Sequence, residues 1–180
     1  FSHPADFTPV CTTEFMTFAS MADEFRSLNT ELVGLSIDSL YAHIAWQRKI
    51  QELGWNGMKN MEVKVPVTED SKMDFARKYG MVQSQSSTQA VRAVFIIDPN
   101  AVVRTILFYP ASTGRNFDEV LRVIDSLQLT ARHKVATPVN WRQGEDVIIA
   151  GSVSNDEARE TYPDGWAEPR PYIRIVPQPS

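Results

Sequence analysis

The sequence contains a single cysteine, Cys11, among 180 residues. A lone cysteine cannot form an intrachain disulfide, so Cys11 is a packing residue, a free reactive thiol or half of an intermolecular bond. A disulfide scaffold is excluded, and one free thiol fits a reducing compartment, so we predict a cytoplasmic protein. Cysteine and histidine nowhere have the spacing of metal ligands, and we predict neither a metal nor another cofactor.

Long apolar runs and an excess of positive charge are also missing. No hydrophobic stretch approaches the roughly 20 residues that a membrane-spanning helix needs. The net charge is −4 and the isoelectric point is about 5.4, which argues against nucleic acid and anionic membranes as partners. With 43% hydrophobic and 22% charged residues, the composition is typical of a globular protein. We therefore predict a globular protein with no nucleic-acid and no membrane partner.

The residues before Cys11 predict that it lies in the first turn of a helix. Thr8 and Pro9 are typical of the N-cap and N1 positions, which places Cys11 at N3. Free N–H groups and the helix dipole favour an anion there. Near cationic groups, a cysteine at such a position has a pKa of about 3.5–7.5 instead of about 8.5. Because free cysteines are also common packing residues, the local sequence leaves both interpretations of Cys11 open.

Helical and strand patterns along the chain predict an α/β fold. Apolar residues at helical spacing follow Cys11, and a short apolar strand covers 32–37. The other predicted elements up to residue 130 are a helix capped by Ser39 with Leu40, Ile44 and Ile50 inward, a loop over 55–64, an edge strand over 65–67, a helix over 71–79, an exposed loop over 83–89, a hairpin over 91–109 and a helix capped by Asn116. We interpret His43 and His133 as surface or packing residues.

The composition changes after about Thr130, because six of the eleven prolines follow it. We therefore predict two domains, 1–130 and 131–180. Strands are expected at 146–149 and 172–176, and Ser154 with Glu157 forms a capping-box pattern. The second segment is too small to hold a strong core alone, so we expect it to pack against another surface.

The segment FSHPADFTPVCTTE, residues 1–14, resembles the peroxidatic motif of one-cysteine peroxiredoxins of the AhpC/TSA type. Residues 135–141 and 175–179 resemble the C-terminal extension of the same family. The resemblance implies a thioredoxin-like fold, incomplete at the N-terminus, with a small C-terminal α+β extension that contacts a partner subunit. It therefore implies a homodimer or a higher homo-oligomer. It also implies a longer natural protein, in which residues 1–3 end a central strand.

The resemblance implies a thiol-dependent peroxidase that reduces hydrogen peroxide and organic hydroperoxides through a sulfenic acid on Cys11. No second cysteine is present to resolve that sulfenic acid, so an external thiol, such as glutathione or thioredoxin, must recycle it. The alternative is a peroxide sensor or thiol relay with little turnover of its own. An inert scaffold, in which Cys11 is a buried ordinary thiol, is a weaker alternative.

Three residues are expected to carry the chemistry. Cys11 is the nucleophile, and the hydroxyl of Thr8, which donates and accepts, contacts the peroxide and the thiolate. Arg92 stabilises the thiolate and the peroxide oxygens through its guanidinium. Arg92 interrupts an apolar run, so it needs a partner if it is buried; a charge at a strand end that faces solvent is the alternative.

Four further residues are expected to bind the substrate or support the pocket. Arg115 matches a second arginine of the family near the site. Glu14 is either the carboxylate partner of an arginine or a solvated acid that complements the helix dipole. Pro4 is expected to shape the pocket wall, and His3 to make a polar contact or supply a proton.

Overall fold

The computed structural model describes residues 1–82, 84 and 87–180. Two compact units divide the chain, Phe1–Phe117 and Asp118–Ser180. Within the described residues, the helices are α1 (Pro9–Ser20), α2 (Ala22–Ser27), α3 (Leu40–Gln51), α4 (Asp74–Lys78), α5 (Phe117–Arg132) and α6 (Asn155–Thr161). The strands are β1 (Gly34–Ser36), β2 (Gly54–Trp55), β3 (Met58–Lys59), β4 (Val67–Glu69), β5 (Arg92–Ile97), β6 (Val103–Tyr109), β7 (Val135–Ala136), β8 (Val147–Ile149), β9 (Ala167–Arg170) and β10 (Ile173–Val176). The domain boundary at residue 130 stays a prediction, and the loop predicted over 83–89 lies partly outside the described residues.

The first unit is built on parallel and antiparallel strand pairs that residues 1–3 connect. β1 and β4 are parallel, and β5 and β6 form the predicted antiparallel hairpin. Ser2 forms a parallel bridge with Leu35 of β1, and its N–H donates to the carbonyl of Ala93 in β5 at 2.9 Å. Residues 1–3 therefore lie between β1 and β5, next to the helix that carries Cys11.

The predicted helix after Cys11 is two helices. α1 begins at Pro9 with Thr8 at the N-cap position, as predicted, and Met21 separates it from α2. Phe15, Phe18 and Phe25 are buried, so the predicted apolar face is retained across the break.

The predicted inward face of α3 is wrong for two of its three residues, whereas Ile50 is buried as predicted. Ser39 does cap this helix and accepts a hydrogen bond from the N–H of Ala42, but Leu40 and Ile44 are exposed. The buried residues of α3 are His43, Trp46 and Ile50. Their steps of three and four residues define a helical face as regular as any apolar one. His43 Nδ1 and Trp46 Nε1 each have a hydrogen-bond partner. The helix ends at Gln51.

A small hairpin, β2–β3, occupies part of the segment predicted as a loop. β2 and β3 pair antiparallel, and the turn between them has positive φ at Asn56 (45°) and Gly57 (82°). Two successive residues with positive φ are typical of a type I′ turn, for which Asn-Gly is the preferred sequence.

A carboxylate outside α4 caps this short helix. Asp70 accepts from the N–H of Phe75 at 3.1 Å and from that of Ala76 at 2.7 Å. Gly80 follows the helix with φ of 67°, a conformation that suits glycine because it has no Cβ. The predicted helix is therefore present but shorter than 71–79.

The second unit contains a four-stranded antiparallel sheet with the order β7-β8-β10-β9. Ser154 accepts from the N–H of Glu157 at 3.2 Å, so the capping side chain of α6 is confirmed. The buried core residues of this unit are Leu129, Val135, Trp141, Val147, Ile149, Val153, Ala158 and Val176. Strands β7 and β9 were not predicted, because two to four residues with proline nearby carry little periodicity. None of the described helices is long and apolar enough to cross a bilayer.

Candidate active site

Cys11 lies in the first turn of α1, at the predicted N3 position. The first intrahelical bond is donated by the N–H of Thr12 to the carbonyl of Thr8, at 3.0 Å. The N–H groups that precede it are not used by the helix, so they contribute partial positive charge near the sulfur. The side chain of Cys11 is a free thiol and is fully buried.

Arg92 contacts the sulfur of Cys11 directly. This arginine, on β5, is 2% exposed, so the alternative of a solvent-facing charge is wrong. Its Nη1 donates to Cys11 Sγ at 3.2 Å and to Glu14 Oε2 at 2.9 Å. Its Nε donates to the carbonyl of Ala111 at 2.9 Å. These three acceptors together hold the guanidinium in contact with the sulfur.

Glu14 binds both arginines. Its carboxylate is buried, so it is not a solvated first-turn acid. Arg115 donates to it from Nε (3.0 Å), from Nη2 (2.6 Å) and from the backbone N–H (2.9 Å). Nη1 of Arg115 donates to the carbonyls of Ser2 and Ala93. These bonds direct Arg115 to protein groups, and its contact with the substrate stays a prediction.

The charges of this cluster balance only when Cys11 is a thiolate. Arg92 and Arg115 carry two positive charges, and the Glu14 carboxylate carries one negative charge. One positive charge remains, in a region where an uncompensated charge is costly. A thiolate at Cys11 would supply the negative charge that balances it.

Thr8 does not cap α1 with its side chain. Its hydroxyl donates to the carbonyl of Ala5 at 2.8 Å and so closes a turn within residues 5–8. The ordinary N-cap interpretation is therefore wrong for the hydroxyl. The hydroxyl oxygen keeps its lone pairs for a donor such as a peroxide O–H, whereas donation to the thiolate would require the bond to Ala5 to break.

His3 and Pro4 are both buried at the start of the segment that leads to α1. His3 Nε2 lies 2.7 Å from Asp6 Oδ1, and the imidazole packs against the rings of Phe15 and Trp46. Burial lowers the pKa of His3 below its usual 6.5, against the opposing effect of Asp6. We therefore describe His3 as a neutral imidazole held by Asp6; its contact with substrate stays a prediction.

His43, predicted as a surface or packing residue, is buried and also makes a hydrogen bond. Its Nδ1 lies 2.6 Å from Asp6 Oδ2, so both oxygens of Asp6 face buried imidazoles. The sequence analysis missed this network, although the spacing of His43 with Trp46 and Ile50 on one helical face was a usable signal.

Among the described residues, possible metal-ligand atoms come together at His3, Asp6 and Asp38, within 4.8 Å of one another. Hydrogen bonds already use both carboxylate oxygens of Asp6 and one oxygen of Asp38. We therefore describe the cluster as a hydrogen-bond network; the absence of a metal stays a prediction.

Comparisons with known proteins agree with this geometry. Residues 1–106 match the AhpC/TSA family, and residues 126–165 match the C-terminal domain of 1-Cys peroxiredoxin. A peroxiredoxin of Methanosarcina mazei is 65% identical over 162 residues, which cover 89% of this chain and 74% of that protein.

Two solved structures are similar along almost the whole chain. A mutant of peroxiredoxin 6 of Arenicola marina has a TM-score of 0.88 at 38% identity, covering 99% of this chain and 84% of that one. Yeast mitochondrial 1-Cys peroxiredoxin, described for its thiol resolving mechanism via glutathione/thioredoxin systems, has a TM-score of 0.88 at 43% identity, covering 98% and 84%. The predicted thioredoxin-like fold with a C-terminal extension is thereby confirmed. The chain belongs to the AhpC/TSA family of peroxiredoxins and is a thiol-dependent peroxidase.

Proposed function

We propose that Cys11 reduces hydrogen peroxide and organic hydroperoxides by direct attack of its thiolate on the O–O bond. The sulfur forms a bond with one oxygen and becomes a sulfenic acid, and the O–O bond breaks. The electron pair leaves with the second oxygen, which takes a proton from solvent and departs as water or an alcohol. The charge balance of Cys11 with Arg92, Arg115 and Glu14 is the observation that carries this proposal.

The other site residues act around this sulfur. Arg92 donates to the thiolate and to the peroxide oxygens, and Thr8 accepts a hydrogen bond from the peroxide. Glu14 and Arg115 position Arg92. Pro4 and His3 line the approach of the peroxide and limit the access of water.

An external thiol completes the cycle. It attacks the sulfenic acid to form a mixed disulfide and water, and a second thiol then releases reduced Cys11 as a new disulfide forms. Glutathione and thioredoxin are the proposed reductants, because the similar yeast protein is described with both systems. Cys11 is fully buried, so the reductant reaches it only after the surrounding residues move.

Stopped-flow oxidation of the reduced chain by hydrogen peroxide tests the reaction, with a sulfenic-acid probe and mass spectrometry to identify the product. We expect fast oxidation that is confined to Cys11 and absent in Cys11→Ser. The matched reference is the same thiol in the urea-unfolded chain. Equal rates for folded and unfolded protein would show that the pocket does not activate Cys11, and the inert-scaffold interpretation would replace the proposal.

Measuring the turnover of peroxide distinguishes a peroxidase from the alternative of a sensor or relay. A peroxidase in this proposal consumes peroxide continuously with glutathione or with thioredoxin and its reductase. A sensor oxidises equally fast but recycles with one protein partner. Oxidation without sustained consumption of peroxide by either reductant would favour the sensor.

A homodimer or higher homo-oligomer in the cytoplasm is part of the proposal. β6 pairs only with β5 among the described residues, and its Ile106 and Phe108 are about half exposed. An edge strand with exposed apolar side chains favours pairing with a second chain. A free thiol that must be reduced after each turnover fits the cytoplasm. Light scattering that finds only monomers at micromolar concentration would contradict the assembly.

A further inference from the structure

A buried carboxylate joins the segment that leads into the catalytic helix to α3. Asp6 Oδ1 lies 2.7 Å from His3 Nε2, and Asp6 Oδ2 lies 2.6 Å from His43 Nδ1. The side chains of Asp6, His3 and His43 are at most 3% exposed. His3 belongs to the peroxidatic motif, whereas His43 comes from α3, a different element.

The chemistry of the carboxylate fixes the tautomers of both imidazoles. A carboxylate only accepts hydrogen bonds, so His3 presents an Nε2–H and His43 an Nδ1–H. The remaining ring nitrogens, His3 Nδ1 and His43 Nε2, are buried and have no partner among the described residues. A proton on either of them would add a buried donor without an acceptor, which is costly. Burial and the charge of Arg115 likewise favour a neutral His3.

A second carboxylate, that of Asp38, holds the backbone that precedes Cys11. The N–H of Asp6 donates to Asp38 Oδ2 at 2.8 Å, and Phe7 adopts a positive φ of 56°, which is unfavourable for a large side chain. Thr8 then closes the turn on Ala5. Tertiary contacts must maintain such a turn, and the bond from His43 is the one that reaches it from α3.

We propose that His43 is a positioning residue, whose Nδ1–H bond to Asp6 holds residues 3–8 in the conformation that peroxide reduction at Cys11 requires. This inference rests on the proposed peroxidase reaction. His43 acts through Asp6 on the loop that carries Thr8, and it does so as a neutral donor.

Two amide substitutions distinguish the effect of the Nδ1–H donor from the effect of the rest of the imidazole ring. His43→Asn places its amide nitrogen near the position of the histidine Nδ1, so the bond to Asp6 is kept. His43→Gln places it near the position of Nε2, so Asp6 Oδ2 loses its partner. We expect His43→Gln to lower the second-order rate of Cys11 oxidation by about tenfold or more, and His43→Asn to stay within about threefold of wild type.

Alkylation by iodoacetamide reports whether the pocket around Cys11 has opened, because Cys11 is fully buried. We expect His43→Gln to react faster with iodoacetamide and more slowly with hydrogen peroxide. Val153→Ala, a core substitution in the second unit, serves as the control: it lowers the melting temperature without lowering the peroxide rate.

The outcomes are distinct. A wild-type chain that oxidises no faster than its unfolded form would refute the peroxidase proposal itself. Fast wild-type oxidation with an equally fast His43→Gln variant would refute the positioning role alone. If His43→Asn were as slow as His43→Gln, the imidazole ring or its charge would be required, and the neutral-donor inference would be wrong. Nitrogen-15 NMR of the imidazoles at neutral pH should show Nε2–H for His3 and Nδ1–H for His43.

Discussion

Arg92→Lys is the substitution whose effect follows most directly from the geometry. The guanidinium satisfies Cys11 Sγ, Glu14 and the carbonyl of Ala111 at 3.2, 2.9 and 2.9 Å, and a single ammonium cannot reach all three. A hydrogen bond to a charged group contributes about 1.5–3 kcal/mol. Because about 1.36 kcal/mol corresponds to a factor of ten in rate, losing the bond to sulfur should slow oxidation by about 10- to 150-fold.

The assay is stopped-flow fluorescence with hydrogen peroxide in excess at neutral pH. Trp46 is a suitable reporter, because its Nε1 donates to Thr12 Oγ1 at 3.1 Å, one residue from Cys11. The slope of the observed rate against peroxide concentration gives the second-order constant, which depends on the thiolate and its stabilisation rather than on recycling.

Arg104→Lys is the matched control for this experiment. Arg104 lies on β6 of the same hairpin, and its guanidinium pairs with Asp98 at the exposed surface. Its replacement should leave the oxidation rate unchanged. If folded Arg92→Lys oxidised as fast as the Arg104→Lys control, the contact between Arg92 and the sulfur would contribute nothing to the reaction, and the assigned role would be refuted.

Three other predictions concern the buried charges. Glu14→Gln leaves two guanidiniums without their carboxylate and should destabilise the fold by about 3–5 kcal/mol, measured as a shift in urea midpoint that the exposed control Glu24→Gln does not show. Burial lowers the pKa of His3. Between about pH 6.5 and this lower pKa the unfolded state binds more protons than the folded state, so stability falls as the pH is lowered through this range. His3→Gln keeps the Nε2 donor and cannot titrate, so its melting temperature should fall less on acidification; an equal fall would contradict the prediction. Conversion of the thiolate into a neutral sulfenic acid leaves one buried positive charge, so one equivalent of peroxide should accelerate amide exchange near Cys11, and unchanged protection would count against this.

Local sequence rules predicted those parts of the fold that short segments determine. Thr8 and Pro9 identified the start of α1. The hairpin over 91–109 was predicted, and at its turn the carboxylate of Asp98 accepts from the N–H groups of Asn100 and Val102. In each case the donors and acceptors lie within a few residues of one another, so composition and order are sufficient to find them.

The face of α3 and the hairpin β2–β3 were missed for different reasons. In α3, the apolar residues Leu40 and Ile44 were predicted to face inward, whereas His43 and Trp46 occupy the buried face because Asp6 binds His43 Nδ1 and Thr12 binds Trp46 Nε1. Those partners lie 37 and 34 positions away, so local sequence does not contain them. The Asn56-Gly57 dipeptide, in contrast, was a local signal that would have predicted the hairpin.

In the candidate site, too, local sequence predicted some residues and missed the contacts that depend on distant ones. Cys11 and Arg92 were predicted from the motif and from a charge within an apolar strand. The double role of Glu14 was not, because its partners Arg92 and Arg115 lie 78 and 101 positions along the chain. Arg92 lies on β5 and Arg115 in the segment between β6 and α5. Only the tertiary fold brings both guanidiniums to one turn of α1, and local sequence does not specify it.

The number of arginines follows from the number of anions on α1. Cys11 and Glu14 are three residues apart, so the helix places a thiolate and a carboxylate on one face, where like charges repel. Burial strengthens that repulsion because the local dielectric constant is low. One guanidinium would leave a net negative charge and would weaken the thiolate; Arg92 and Arg115 together bring the sum to zero. We therefore expect Arg115 to contribute to the reactivity of Cys11 without a hydrogen bond to it, because its charge compensates the carboxylate that positions Arg92.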